Sequence, residues 1–229
     1  MRRAVLSCAL CLSLGLCTAW ASIGSTNPND FNNPVDWCTN FGCGGQQLGT
    51  PQAWAASIPP NTGMIGLVSS QNMQNLQQGV SWNGNFAAGM GLIYNGVLTL
   101  GNNPGGILVS FDQPVFGAGA YIQDDPFGAF TGIITLYDSS FNFLGTFSAP
   151  GNSDTNVGTA LFIGAYDSTA DVSYALFDTN DDIFAIGTMR LATVPVTVVP
   201  EPSTMLLVAP SMLGLAGIVR RRLTRKEVR

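Results

Sequence analysis

Residues 132–147 read GIITLYDSSFNFLGTF, in which two short apolar runs flank the polar turn Asp138-Ser139-Ser140. Runs rich in β-branched and aromatic residues on both sides of such a turn predict a β-hairpin. The same pattern of short apolar runs bounded by Gly, Pro, Asn and Asp continues in both directions along the chain. It predicts strands at residues 64–69, 90–94, 97–100, 106–111, 117–123, 132–137, 143–148, 160–165, 172–177 and 184–191.

These short strands follow one another at a spacing of about 8–12 residues, which is typical of an all-β sandwich. We therefore predict an all-β, jelly-roll-like β-sandwich over residues 61–194, preceded by a loop-rich lead-in over residues 22–60. Helical periodicity is nearly absent outside the two termini. The best exception, residues 71–78, is too short and too polar to predict a helix.

Charge is distributed very unevenly along the 229 residues. Charged residues make up only 10% of the chain, compared with about 25% in an average soluble domain. Between residues 22 and 199 there are twelve aspartates, no glutamate and one basic residue, Arg190, which gives that segment a net charge of −11. Such a surface lacks the basic patches that bind nucleic acid, so we predict no nucleic-acid partner.

The N-terminus has the three parts of a secretory signal peptide. Arg2 and Arg3 form a basic start, residues 4–16 form an apolar run, and Ala19-Trp20-Ala21 is a small-x-small cleavage site. This order predicts a signal peptide over residues 1–21 and an exported mature chain. The alternative is a membrane anchor or a buried helix.

Removal of the signal peptide also removes Cys8, Cys11 and Cys17 and leaves Cys38 and Cys43. An even pair of cysteines in an oxidising compartment predicts a disulfide, here within the lead-in. A redox role is the alternative, but the C-x4-C spacing differs from the C-x-x-C motif.

The C-terminus also has three parts. Pro200-Glu201-Pro202 precedes the apolar run 204–219, and the basic cluster Arg220-Arg221-Arg222 follows it. We predict a stalk over residues 195–198, then a single transmembrane helix over residues 204–219 whose arginines act as a stop-transfer signal. The excess of basic residues after the span places the C-terminus in the cytoplasm and the body outside. A helix buried in a globular domain is the alternative.

Taken together, residues 199–226 resemble a PEP-CTERM sorting tail, also called the ice-binding protein C-terminal domain. The resemblance implies that Pro200, Glu201 and Pro202 form a sorting motif recognised by an exosortase-type membrane enzyme. It also implies an inner-membrane-anchored precursor that later reaches the cell surface or the extracellular matrix, with a link to exopolysaccharide and biofilm. Pro210 departs from the family's Leu/Gly/Ala-rich helices, and we expect it to kink the span.

Most catalytic chemistry is excluded by composition. The chain has no histidine, which excludes Ser-His-Asp and Cys-His mechanisms and His-ligated zinc. No lysine lies between residues 22 and 199, which excludes Schiff-base chemistry there. The carboxylate doublets Asp124-Asp125 and Asp181-Asp182 remain, but adjacent strand residues point to opposite faces. We therefore predict that the protein is not an enzyme, with a secreted hydrolase as the remaining alternative.

Two ligand-binding hypotheses remain open. Asp178, Asn180 and Asp182 offer hard oxygen ligands at alternate positions, which suggests a structural calcium site joined by Asp124 or Asp125. Solvated acidic turns are the alternative, and no other cofactor is expected. Trp82, Phe86, Tyr94 and Tyr121 are candidates for a sugar-stacking platform, with core packing as the alternative.

The leading functional prediction is therefore a non-catalytic exported protein of the cell surface or biofilm matrix. The alternative is a carbohydrate-binding module for extracellular polysaccharide.

Overall fold

The computed structural model describes residues 23–37, 47–48, 52–58, 61–67, 73–96, 105–181 and 183–195, with the backbone alone described for those between 47 and 67. They belong to the first of the two units into which the chain divides, Met1–Val196. The strands of the described residues are β1 (Ile23–Ser25), β2 (Asn33–Val35), β3 (Gln47–Leu48), β4 (Gln52–Ile58), β5 (Asn61–Leu67), β6 (Met73–Gln77), β7 (Gly91–Tyr94), β8 (Ile107–Val115), β9 (Gly117–Asp124), β10 (Gly128–Tyr137), β11 (Phe143–Ser153), β12 (Leu161–Tyr166), β13 (Val172–Thr179) and β14 (Phe184–Ala192).

The strands form two antiparallel sheets. The first sheet has the order β1-β12-β9-β14-β7-β6-β3, and β2 also pairs with β14. The second sheet has the order β11-β10-β13-β8-β5-β4. The predicted hairpin is the β10–β11 pair, in which Thr135 lies opposite Thr146.

One core joins the two sheets. In β10, Ile134 and Leu136 are fully buried whereas Ile133 and Thr135 are half-buried, so one face of the strand points inward, as a period of two requires. These inward side chains pack in one cluster with residues of the opposite sheet, including Ile122, Ile163 and Ile186. The all-β prediction is confirmed, and the sheets pack as a β-sandwich.

The structure contains strands that the sequence pattern did not reveal. Residues 71–78, the best exception to the all-β pattern, contain strand β6, whose Met73, Asn75 and Leu76 are buried. The expected loop-rich lead-in contributes β1 to β4. Two of these strands are only three residues long, and they are held by partners far along the chain, β12 and β14. Segments this short are below the length at which a period can be recognised.

Several predictions fall on residues outside the described set. These are the signal peptide 1–21, the Cys38–Cys43 disulfide, the strand 97–100, residues 196–198 of the stalk and the sorting tail 199–226. In the part of the chain that is described, no helix has the length and apolar character needed to cross a membrane.

Candidate functional site

Three neighbouring strands bring aromatic, amide and carboxylate side chains together at one end of the first sheet. β7 ends at Tyr94, β14 begins at Phe184 and β9 ends at Asp124. Because neighbouring strands are antiparallel, the last residues of β7 and β9 and the first residue of β14 lie at the same end of the sheet. The register places Tyr94 and Gln123 on either side of Ala185 in one cross-strand row. Neighbouring strands are about 4.8 Å apart, so this row brings residues distant in sequence together.

The loop after β6 covers this row on the outer face of the sheet with an aromatic cluster. The Trp82 ring lies 5.2 Å from the Tyr94 ring, with the planes at 61°, and 6.3 Å from the Phe86 ring. Phe86 is fully buried, whereas Trp82 and Tyr94 are half-buried. Of these three predicted platform residues, Phe86 is therefore a packing residue, and the other two keep exposed ring surface.

Tyr121, the fourth predicted platform residue, belongs to a packed edge-to-face pair. Its ring lies 5.3 Å from the ring of Phe162, at 74°. Phe31 packs against the same Phe162, with the ring centroids 5.4 Å apart. Tyr121 thus contributes to a small apolar cluster that seals the outer face of β9 and β12.

Gln123 is a functional candidate that the sequence analysis missed. Its Oε1 accepts hydrogen bonds from Trp82 Nε1 at 3.2 Å and from the Asn85 backbone N–H at 2.7 Å. Its Nε2 donates to the backbone carbonyl of Asp154 at 3.3 Å. Only 1% of Gln123 is exposed. Its position two residues after Tyr121 and two before Asp125 places it on the outward face of β9, and this alternation is the signal that identifies it.

Asn85, which is held by the same Gln123 oxygen as Trp82, lines a pocket of about 460 Å³ whose lining is mainly polar residues. Asp154 also lines this pocket, and its Oδ1 accepts hydrogen bonds from Asn85 Nδ2 at 2.5 Å and from the Asn156 backbone N–H at 2.7 Å. Its Oδ2 accepts from the side-chain amides of Asn156 and Asn152 at 2.8 and 3.2 Å. These donors, led by the Asn156 backbone, lower the pKa of Asp154. The pocket therefore presents an ionised carboxylate surrounded by amides.

Tyr94 connects the aromatic cluster to the acidic end of the sheet. Its hydroxyl donates a hydrogen bond to Asp125 Oδ2 at 2.9 Å. Burial, together with this hydrogen bond and the charge of Asp125, raises the pKa of Tyr94 well above its usual value. The phenol consequently stays protonated and keeps donating to the exposed carboxylate of Asp125.

Asp124 faces the opposite way, between the two sheets. Its side chain is completely buried, and neither carboxylate oxygen has a hydrogen-bond partner. Burial raises its pKa to about 6; Thr179 acts to lower that pKa, while Asp181 and Asp125 raise it further. The two members of the Asp124-Asp125 doublet thus lie in different environments.

Two of the predicted calcium ligands, Asp178 and Asn180, lie at the end of β13 and in the turn after it. Asn180 Oδ1 accepts a hydrogen bond from the Thr131 backbone N–H at 2.5 Å, and Asp178 Oδ1 accepts one from the Thr179 backbone N–H at 2.9 Å. Asp182 lies outside the described residues. Across the described ranges, no three carboxylate, thiolate or imidazole side chains lie close enough together to hold a metal ion. In β13, Asp178 lies on the outer face of the strand and Thr179 on the inner face.

Comparisons with known proteins find weak structural likenesses. No protein-family model matches the chain, and no curated protein does either. A crystal structure of a DUF4465 family protein from Bacteroides caccae is 13% identical and covers 70% of this chain and 100% of its own, with a TM-score of 0.36. The enzymatically active domain of tailspike protein 4 of bacteriophage CBA120 is 10% identical and covers 74% of this chain and 19% of its own, with a TM-score of 0.20. Both TM-scores are below 0.5, so neither likeness carries an argument about this chain.

Proposed function

We propose that this chain is a non-catalytic exported protein of the cell surface or extracellular matrix, sorted and processed through a PEP-CTERM tail at residues 199–226. The observation that carries the proposal is the order of the tail, in which Pro200-Glu201-Pro202, the apolar run 204–219 and the arginine cluster follow one another. The signal-like N-terminus supports the same route. An exosortase-type membrane enzyme is the partner that this tail requires.

In this proposal the exported body, which is the β-sandwich, is a jelly roll. The strand order supports this, because β7-β14-β9-β12 are neighbours in one sheet and β8-β13-β10-β11 are neighbours in the other. Two interleaved Greek keys of this kind form the eight-stranded jelly roll. In this description β1 to β6 extend the two sheets beyond the eight-stranded core.

A non-catalytic role is supported by the environments of the carboxylates. A glycosidase needs two carboxyl groups that face the same bond, about 5–10 Å apart. Asp124 points between the sheets, whereas Asp125 accepts a hydrogen bond from Tyr94 on the outside. Neither doublet member is therefore arranged to act on a substrate together with the other.

The sorting proposal is tested by changing the charged residue of the motif. The prolines keep Glu201 in an extended segment outside the apolar run. We expect Glu201→Ala to be exported normally but to accumulate as a full-length membrane form, which mass spectrometry of the C-terminus detects. Glu227→Ala, which alters the chain's other glutamate, is the matched control and should be processed like the wild type. Processing of Glu201→Ala at the wild-type rate would show that the tail is an ordinary anchor.

Carbohydrate binding by the body is a second candidate function, and a specific contact favours it. Gln123 bonds both to Trp82 and to Asn85, and Asn85 lines the polar pocket. One amide oxygen thereby holds both a half-exposed indole and a residue that lines a pocket with amide, carboxylate and hydroxyl groups. Apolar ring faces with a few fixed polar groups are the elements of small-ligand sites, and sugars present both kinds of surface.

The probe for this second function is the polysaccharide purified from the producing cells. Trp82→Ala should weaken binding at least tenfold, whereas Trp82→Phe should retain part of it, because a ring face remains. Phe143→Ala is the control, since Phe143 is 65% exposed but belongs to the second sheet. Equal affinity of Trp82→Ala and the wild type would remove the carbohydrate hypothesis for this surface.

A further inference from the structure

A second pocket, of about 370 Å³, lies between the loop that joins β12 to β13 and the start of β11. The loop contributes two carboxylates and a hydroxyl, and β11 contributes two apolar side chains. These lining residues are Asp167, Thr169, Asp171, Phe143 and Leu144. The acidic pocket, as we call it, shares no lining residue with the pocket around Asp154. Its volume is within the range of small-molecule sites.

One hydroxyl group joins the two carboxylates of the acidic pocket. Thr169 Oγ1 lies 3.3 Å from Asp167 Oδ1 and 2.9 Å from Asp171 Oδ2. The Thr169 backbone N–H also donates to Asp167 Oδ1, at 3.2 Å. The Asp167 backbone N–H donates to the Phe116 carbonyl at 2.7 Å, which attaches the loop to the rest of the body. The two carboxylates are therefore held in a fixed arrangement.

Each of these aspartates keeps one oxygen that the loop does not use. Asp167 is only 7% exposed, and its side-chain hydrogen bonds, from Ser168 and Thr169, all end on Oδ1. Among the described residues, no hydrogen-bond donor reaches Asp167 Oδ2. Asp171 Oδ1 is buried and also lacks a partner. Because a buried acceptor without a donor is costly, these two oxygens indicate a ligand that donates hydrogen bonds.

The charge of the acidic pocket favours a cationic ligand. Arg190 is the only basic residue between residues 22 and 199. Its guanidinium lies 3.4 and 3.5 Å from the carbonyl oxygens of Pro28 and Phe31. Two carboxylates that line one pocket are compensated best by a positive charge that enters from outside.

The apolar side of the pocket favours an organic cation over a metal ion. Phe143 is 65% exposed, and its ring meets the Tyr137 ring edge to face, with centroids 6.5 Å apart. An exposed aromatic ring attracts a cationic group to its face. A calcium ion instead takes about six to eight oxygen ligands. Within the described ranges, no three carboxylate, thiolate or imidazole side chains cluster around a metal position.

We propose that the acidic pocket binds a primary ammonium group carried on a short apolar carbon chain. The ammonium N–H groups donate to Asp167 Oδ2 and Asp171 Oδ1, and the carbon chain packs against Phe143 and Leu144. Free alkylamines and the lysine side chains of other proteins both carry such a group. The site does not depend on the proposed sorting or carbohydrate function.

The test is calorimetric titration of the purified full chain with n-pentylammonium, and with n-pentanol as its neutral counterpart. We expect pentylammonium to bind about tenfold more tightly than pentanol, because hydrogen bonds to charged groups contribute at least this factor. Nα-acetyl-lysine N-methylamide presents the same ammonium group on a peptide. Tighter binding of this compound than of pentylammonium would identify a lysine side chain as the source, and weaker binding would identify a free amine.

Two variants assign the binding to the acidic pocket. Asp171→Asn should weaken pentylammonium binding by about tenfold. Phe143→Leu keeps an apolar side chain but loses the ring face, so it should weaken binding by about threefold. Asp181→Asn is the matched control, because it removes the same charge from an exposed residue at the other end of β13, about 25 Å along the strand. It should bind like the wild type.

Phe143→Leu keeps the proposal testable if Asp171→Asn unfolds, because Phe143 is exposed. Equal affinities for pentanol and pentylammonium would overturn the proposal, as would an unchanged affinity in both pocket variants. An equal loss in Asp171→Asn and Asp181→Asn would overturn it as well, because net charge would then be the cause. Tighter binding of Ca²⁺ than of pentylammonium, lost in Asp171→Asn, would identify a metal site instead.

Discussion

Trp37 and Gly187 lie 150 residues apart in sequence, and the indole N–H of Trp37 donates a buried hydrogen bond of 2.7 Å to the Gly187 carbonyl. Gly187 is in the irregular part of β14, where the pairing with β9 shifts between Ile186 and Met189. A carbonyl left out of the regular ladder is thus satisfied by a side chain from the N-terminal segment. This contact attaches the lead-in to the centre of the first sheet.

Trp37→Phe is expected to lower the free energy of unfolding by about 2–3 kcal/mol. The ring volume is partly retained, but the Gly187 carbonyl loses its partner inside the protein, which costs about 1–3 kcal/mol, and a void replaces part of the indole. Urea denaturation measures the difference. Trp82→Phe is the control. Because the Trp82 indole is only half-buried, this substitution should lower the free energy of unfolding by less than Trp37→Phe does. Equal costs at the two positions would contradict the assigned role of the Gly187 bond.

Asn85→Asp is expected to destabilise the protein by about 2 kcal/mol at pH 7. Asn85 is 1% exposed and donates to Asp154 Oδ1 at 2.5 Å and to Thr159 Oγ1 at 2.7 Å. The substitution keeps the shape but replaces the donor facing Asp154 with a second negative charge. Urea denaturation of Asn152→Asp provides the control, since Asn152 is exposed and donates to the same carboxylate. A smaller loss for Asn85→Asp than for Asn152→Asp would contradict this account.

At residue 141 we expect the glycine variant to be more stable than the alanine variant, the reverse of the usual order within a strand. Phe141 has a φ of 60°, and no other non-glycine residue in the described ranges has a positive φ. Its ring stacks on Tyr174 with centroids 4.0 Å apart. Both Phe141→Gly and Phe141→Ala lose the stack, but only glycine adopts this backbone without strain, so the Gly variant should be more stable by about 1 kcal/mol.

The matched pair for this comparison is Phe143→Gly and Phe143→Ala. Phe143 begins β11, where glycine weakens a strand, so the Ala variant should be the more stable of the two. Thermal unfolding of all four variants measures both orders. The same order at both positions would show that the backbone at residue 141 relaxes without cost.

We expect the protein to lose stability in strong alkali as Tyr166 ionises. Burial, and to a smaller extent the charge of Asp30, raise its pKa above the usual value of about 10. The stabilisation is therefore fully present below pH 10 and is lost as the pH rises through the pKa of the folded state, because the unfolded state releases the proton first. Tyr166→Phe should show a shallower fall in the urea midpoint between pH 9.5 and 11.

The variant Asp30→Asn separates the two causes of the raised pKa of Tyr166. It removes the smaller, electrostatic cause and leaves burial intact, so most of the alkaline loss of stability should remain. If Asp30→Asn flattens the pH profile as much as Tyr166→Phe does, burial is not the main cause.

Local sequence was sufficient to predict the all-β class and the central strands. In residues 132–137 the alternation of side chains and the following Asp138 turn predict the hairpin, and the structure pairs β10 with β11 there. Strands β9 and β14 were predicted differently, from short apolar runs bounded by turn residues, because nearly every residue of both strands is buried. A period of two is a local property, so it can be read without knowing the partner strand.

The candidate site needed the tertiary structure. Trp82, Tyr94, Gln123 and Asp125 come from three separate segments, and their contacts follow from the pairing of β14 with both β7 and β9. Sequence predicted two of these residues as aromatic candidates and one as an acidic candidate, but not that Tyr94 donates to Asp125. Long-range strand order depends on the combined packing of both sheets, which no local pattern encodes.

The inner and outer faces of β13 show the same division most clearly. Composition alone established that the body is strongly acidic and has a single arginine, Arg190. The alternation of side chains along β13 was also readable, but not its phase. Only the burial of Ala175, Phe177 and Thr179 on the inner face decided that Asp178 lies on the outer face, because a shift of one residue exchanges the inner and outer faces of a strand.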